Sequence, residues 1–141
     1  PGEIIDLMVV RTNMSEAAKS AICGAWYEAM AAMSSKDKAG KDAIAAMAKS
    51  ANGTLAEFQA QLGTTKMFYN AKEAAEFAND PKLKQTMEFV RSFVFDHKLF
   101  GDAKSKDAIG IEFPDGTVMG DKSRVRLRFT GKFMQLADVS K

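Results

Sequence analysis

Few side chains in this 141-residue chain carry chemistry, and their spacing argues against a reaction centre. His97 is the only histidine and Cys23 the only cysteine. A nucleophile needs a base beside it, and a structural zinc needs three or four Cys or His ligands at short spacing. One residue of each kind, far apart in sequence, meets neither demand. His97 falls near the end of a predicted helix, where a cation complements the carbonyl-rich terminus. Cys23 lies on the apolar side of another, where a small thiol packs well and stays inert.

The acidic residues Asp102, Asp107, Glu112, Asp115 and Asp121 invite a calcium reading, but a calcium loop needs oxygen ligands at alternating positions, and Lys104 and Lys106 interrupt the run. Gly40-Lys41 lacks the earlier glycine and the following Ser or Thr of a phosphate loop, and no Gly-x-Gly-x-x-Gly follows the opening apolar stretch. The most suggestive pattern is Arg124, Arg126 and Arg128. On one face of a strand their guanidiniums would stand about 6.6 to 7 Å apart, a plausible track for phosphates or RNA. No exposed aromatic interleaves with them, so the stacking half of a single-strand site is missing and nucleic acid is not expected. We expect no enzyme, no cofactor and no metal.

The elements around these residues are mainly helical. Ile4-Ile5-Asp6-Leu7-Met8-Val9-Val10 is β-branched and apolar at nearly every position, the pattern of a strand buried on both faces. Asn13 with Glu16 predicts an N-cap for a helix carrying Ala18, Ala21, Ile22, Ala25, Trp26, Ala29, Met30 and Met33 inward. A second helix over 37–50 turns Ile44, Met47 and Ala48 inward and stops at Asn52-Gly53. Thr54 with Glu57 forms a capping box for a third, ended by Gly63, and Asn70 with Glu73 repeats the signal for a fourth. Asp80-Pro81 opens a fifth with Leu83, Met87, Val90, Phe93, Val94 and Phe100 inward, ended by Gly101.

From Ile109 the period becomes alternating. Ile109, Ile111 and Phe113, then Val118, flank the turn triplet Pro114-Asp115-Gly116, which predicts a hairpin. Val125, Leu127 and Phe129 alternate with the three arginines, and a short helix over 132–137 closes the chain. The fold class is thus mainly α with a small β component: crossing strand over 1–12, helices over 13–101, hairpin region over 109–130, and a tail over 131–141.

Composition fits one globular domain, with 46% hydrophobic and 27% charged residues. A net charge of +2, with both signs interspersed, is too small to imply a polyanionic partner. No run approaches the roughly 18 apolar residues of a membrane span. The start at Pro1 instead of Met, without a leader pattern, leads us to expect a piece of a longer protein.

The stretch Pro1-Gly2-Glu3-Ile4-Ile5-Asp6-Leu7-Met8-Val9-Val10-Arg11-Thr12, the helical Gly24-Ala25-Trp26-Tyr27-Glu28 and the run Ile109-Gly110-Ile111-Glu112-Phe113-Pro114-Asp115-Gly116 together resemble the C-terminal part of periplasmic solute-binding proteins of ABC importers. The class is that of nitrate, sulfonate, taurine and bicarbonate, and the hairpin with Leu127-Arg128-Phe129 is similar to a subgroup of urea or nitrate binders. The resemblance implies a two-lobed α/β fold that captures a small polar solute without catalysis and delivers it to an ABC-transporter permease in the periplasmic space. Chains of that family are more than twice this length, so the first lobe, in a missing N-terminal part of the same protein, would supply the other wall of the cleft, and this chain alone should bind solute weakly or not at all. The opening strand would be the return crossing between lobes. Pro1, Gly2 and Glu3 near the hinge are then candidate ligand contacts, Gly2 by letting the backbone approach a ligand and Glu3 by selecting a donor-bearing solute or pairing with a neighbouring base. The alternatives are a free-standing helical interaction domain whose strand edges pair with a partner, and a phosphate or RNA module built on Arg124, Arg126 and Arg128.

Overall fold

The computed structural model describes residues 6–137. The chain is mainly α with a small β component, and it divides into two compact units, residues 10–74 with 133–137 and residues 6–9 with 75–132.

The larger helical unit begins with α1 (Glu16–Ser34). Its N-cap is Ser15, whose hydroxyl accepts from the Ala18 amide at 3.2 Å, and not Asn13 as the spacing to Glu16 predicts. The inward face of α1 is also rotated from the expected one. Cys23, Tyr27, Met30 and Met33 are buried at intervals of three and four, whereas Ile22 and Trp26 are exposed, Trp26 at 50%. Burying Tyr27 together with Cys23, Met30 and Met33 turns the neighbouring Trp26 to solvent, although it is the larger aromatic.

In α2 (Lys38–Ser50), Asp37 caps the N-terminus through the Gly40 amide at 2.8 Å. A Cβ at Gly40 would lie 2.1 Å from the Ser35 carbonyl oxygen, so only glycine lets α2 start this close to the end of α1. Ala48 is buried and Ile44 half-buried, but Met47 is exposed, against expectation. Asn52 takes the left-handed conformation (φ 57°) and lets the Asn52 and Gly53 amides bond back to Lys49 and Ala48. The Thr54–Glu57 capping box then opens α3 (Leu55–Thr64), both halves formed, and the helix runs one residue past Gly63. Ala71 and Ala74, from the start of α4 (Ala71–Asn79), and Ala137 complete a core with the α1 residues, flanked by Leu62, Met67, Phe68, Tyr69, Phe133 and Met134. Phe133 and Met134 belong to the short α6 (Lys132–Leu136).

The second unit holds the rest of α4, α5 (Pro81–Asp96) and the sheet. Asp80 caps α5 through the Lys82 amide at 2.8 Å with Pro81 in the first turn, as predicted. The helix ends at Asp96, before Gly101, because Lys98 adopts a left-handed conformation (φ 56°) and the Lys98 and Leu99 amides bond back to Phe95 and Val94. Leu83 is buried and Met87, Val90 and Val94 half-buried, while Phe93 and Phe100 face solvent, contrary to the expected inward stripe.

The hairpin is present: β1 (Gly110–Glu112) pairs antiparallel with β2 (Val118–Gly120), Ile111 opposite Met119, across a turn in which the Gly116 amide bonds to Phe113 at 2.9 Å. β3 (Val125–Arg128) then pairs parallel with the far edge of β1, giving the order β2-β1-β3. The link from β2 to β3 passes over β1 at Gly110. A Cβ there would meet the Asp121 carbonyl oxygen at 2.3 Å and Val125 Cγ2 at 3.1 Å, so glycine is what allows the crossing. Gly120, at φ 82°, makes the bend that starts it. Leu83, Ile111 and Phe113 form this unit's core with Phe77, Met87, Met119, Leu127 and Phe129.

The expected opening strand is not formed where the structure describes it. Asp6–Val10 lie outside every strand and Leu7, Met8, Val9 and Val10 are exposed, Val9 at 72%. A run with the composition of a two-sided buried strand needs a neighbour on each edge, and none reaches it among the described residues.

Candidate interaction surface

The resemblance-based candidates Pro1, Gly2 and Glu3 lie outside the described residues. The arginine pattern lies within them. β3 alternates as the sequence predicts: Val125, Leu127 and Phe129 are half-buried, and Arg124, Arg126 and Arg128 point to solvent. The three are not equivalent. Arg128 pairs through Nε with Glu112 at 2.9 Å, its cross-strand partner on β1. Arg124 donates to the Ala108 carbonyl at 3.5 Å and stands close enough to Asp121 to help lower its carboxyl. Arg126 makes no ion pair or hydrogen bond among the described residues.

The acidic residues that suggested a cation loop are drawn apart. Asp107 pairs with Arg91, Glu112 with Arg128, Asp115 with Lys84 at 2.5 Å, and Asp121 accepts from the Ser123 amide and hydroxyl. Lys84 beside it, and then the Thr117 hydroxyl and amide, push the Asp115 carboxyl down to about 2. The Ser123 bonds likewise lower Asp121. Among the described residues no group of three His, Cys, Asp or Glu side chains is placed to hold a metal ion.

Sequence reasoning missed a network that ties the polar loop to α5. Lys106 donates to Glu88 and, at 3.2 Å, to the Ser92 hydroxyl oxygen. Arg91, only 11% exposed, bridges Glu88 at 2.6 Å and Asp107. Lys106 first, and then Arg91, hold the Glu88 carboxyl below its ordinary range. Glu88 and Arg91 at i and i+3 were a visible helix pair, but nothing in sequence connects them to Lys106 and Asp107. The network's job is positional: it fixes the chain that leads into β1.

A shallow pocket of about 70 Å³ sits at the start of α5, lined by Asn79, Asp80, Lys84, Phe113 and Asp115 among others. Lys84, one of the lining residues, pairs with Asp115 and lies 5.6 Å from the Phe113 ring centroid. The space suits a few waters and falls well short of the roughly 300 Å³ at which small-molecule pockets begin. His97 closes α5, its Nδ1 2.9 Å from the Phe93 carbonyl and its ring stacked on Phe93 at 4.0 Å. Cys23 is buried, which pushes its thiol pKa up and away from reactivity. No helix among the described residues is long and apolar enough to cross a membrane.

Among the described residues the exposed surfaces include the edge of β3 with Arg126, the apolar segment at Leu7–Val10, Phe89 of α5, and Ile22 with Trp26 on α1. No protein-family model, curated protein or solved structure matches the chain.

Proposed function

We propose that this chain is the C-terminal part of a periplasmic solute-binding protein of an ABC importer, in the nitrate, sulfonate, taurine and bicarbonate class. In this role it captures a small polar solute without catalysis and hands it to a membrane permease. The motifs that carry the resemblance span the chain, and one structural observation supports the reading. Leu7–Val10 is an apolar run left exposed and outside any strand, which costs burial that a neighbouring part of a longer protein would recover. A crossing strand between lobes is such a segment. In the cleft so formed, Pro1, Gly2 and Glu3 are the proposed ligand contacts, and the first lobe supplies the facing wall.

The test is a thermal-shift screen on the longer protein that contains this sequence, against nitrate, taurine, alkanesulfonates, bicarbonate and urea. A ligand at about 100 times its dissociation constant stabilises the folded state by about 2.7 kcal/mol. The same protein carrying Val9→Asp should melt earlier, whereas the 141-residue chain with Val9→Asp should melt unchanged, because its Val9 is already in water. A selective shift supports solute capture. A flat response from a folded protein refutes it and favours a helical interaction domain, whose motivating observation is the edge of β3 that no strand among the described residues pairs.

A further inference from the structure

Two properties coincide on β3. It is the last strand of the sheet, and Val125–Arg128 have no backbone partner on the side away from β1 among the described residues. The solvent face of the same strand holds Arg126 without a carboxylate among the described residues, and Glu112, on the neighbouring strand β1, is taken by Arg128. We propose that the free edge of β3 accepts an added strand from a protein partner whose residues alternate between acidic and apolar.

Arg126 stands at an irregularity of the β1–β3 ladder, between Val125 opposite Gly110 and Leu127 opposite Ile111, yet burial still alternates from Arg124 to Phe129. An added strand places its successive side chains on opposite faces. Its acidic residues would stand beside Arg126 and Arg124 on the solvent face, and its apolar residues beside Val125 and Leu127 on the core face. Main-chain hydrogen bonds supply affinity and the alternate side chains supply specificity, as in other cases of strand addition. Opposite charges directly across a sheet attract and like charges repel. The arginines therefore also exclude the occupant every free edge must avoid, a second copy of itself, since β3 against β3 sets arginine against arginine. RNA is the poorer fit. The aromatic next to the stripe, Phe129, turns into the core and stacks on Phe113 at 5.7 Å, leaving no exposed ring on this strand for a base.

The inference does not depend on solute capture, and its test needs only the 141-residue chain. A capped, fluorescently labelled peptide alternating Glu and Val is titrated against the isotope-labelled protein. We expect amide shifts centred on Val125–Arg128 and an affinity that falls several-fold between about 50 and 300 mM NaCl, as the Debye length shortens. Arg126→Glu should weaken binding at least tenfold; since Arg126 has no partner to lose, this variant keeps its fold, which its unshifted remaining amides will report. Equal binding of a Lys/Val peptide, unchanged affinity for Arg126→Glu, or shifts lying elsewhere would each overturn the proposal. So would a labelled oligouridylate that depends on Arg126 where the peptide does not bind, which would assign the stripe to nucleic acid.

Discussion

Replacing Gly110 by alanine tests the crossing over β1 directly. The added Cβ would lie 2.3 Å from the Asp121 carbonyl oxygen, about 1 Å inside ordinary contact. The obstacle is backbone, and it is held: the Asp121 amide bonds to Asp107 at 3.2 Å, and its carbonyl accepts from Arg124 at 3.1 Å. Overpacking of this kind costs about 1–3 kcal/mol, and a clash with backbone belongs at the upper end. Removing a strand glycine returns about 0.5–1 kcal/mol, so the net loss should be about 2 kcal/mol. With a urea dependence of about 1–3 kcal/mol per molar, the midpoint should fall by about 1 M. Urea unfolding followed by NMR amide signals of Ile111 and Leu127 reads the unit concerned. Gly24→Ala is the control: nothing lies within 4 Å of its Cβ position, so alanine in mid-helix should raise stability by up to about 1 kcal/mol. An unchanged or higher midpoint for Gly110→Ala would show that the link does not cross β1 there, and would remove the basis for placing β3 where its edge is free.

Further outcomes follow from the same geometry. Lys98→Gly should raise stability by about 0.5–1 kcal/mol by relieving the left-handed strain at φ 56°, read as a higher melting temperature; a lower one would mean that Lys98 is not the left-handed cap. Glu88→Gln removes the charge that Lys106 and Arg91 share, and should cost about 0.5–1 kcal/mol while speeding hydrogen exchange in the 102–108 loop; unaltered exchange there would deny the network its positioning role. Asp115, held at about 2 by Lys84, and Glu88, Asp37, Glu57 and Asp121, all lowered by hydrogen bonds, return to ordinary values near 4 on unfolding. Because their folded values are depressed, their contribution is complete above about pH 5 and is lost as pH falls below about 4, that of Asp115 down to about 2; a melting temperature that does not fall on acidification below about pH 4 would contradict the pairings.

The helices were legible because their ends are written locally. Thr54 with Glu57, Asp80 with Pro81, and Asn52 act within four residues of where they stand, and each sits where the spacing predicts. The facing of those helices was less so, since a stretch such as Ala21–Met33, apolar almost throughout but for Glu28, offers several faces and tertiary packing chose the one through Cys23 and Tyr27. The hairpin turn at Pro114-Asp115-Gly116 was legible for the same local reason, whereas the parallel return of β3 depends on the approach at Gly110, which leaves no periodic trace. Of the candidate surface, the alternation of arginines was visible. That Arg128 is neutralised while Arg126 is not depends on Glu112 standing opposite in the sheet, a register that sequence spacing does not contain. The opening run misled for a complementary reason: its composition encodes a preference for burial, and burial needs neighbours that composition does not supply.

Trp26 is the chain's only tryptophan, and half its surface meets water beside exposed Ile22 on α1. The protein therefore carries its own optical label on an uncommitted face. Its native emission should already resemble that of an indole in solvent, so unfolding will move the spectrum little, and a melting curve taken from it would underreport the loss of structure. Anything that covers the Ile22–Trp26 patch will instead shift the emission to the blue and shield it from a soluble quencher. The fluorophore reports assembly better than it reports folding.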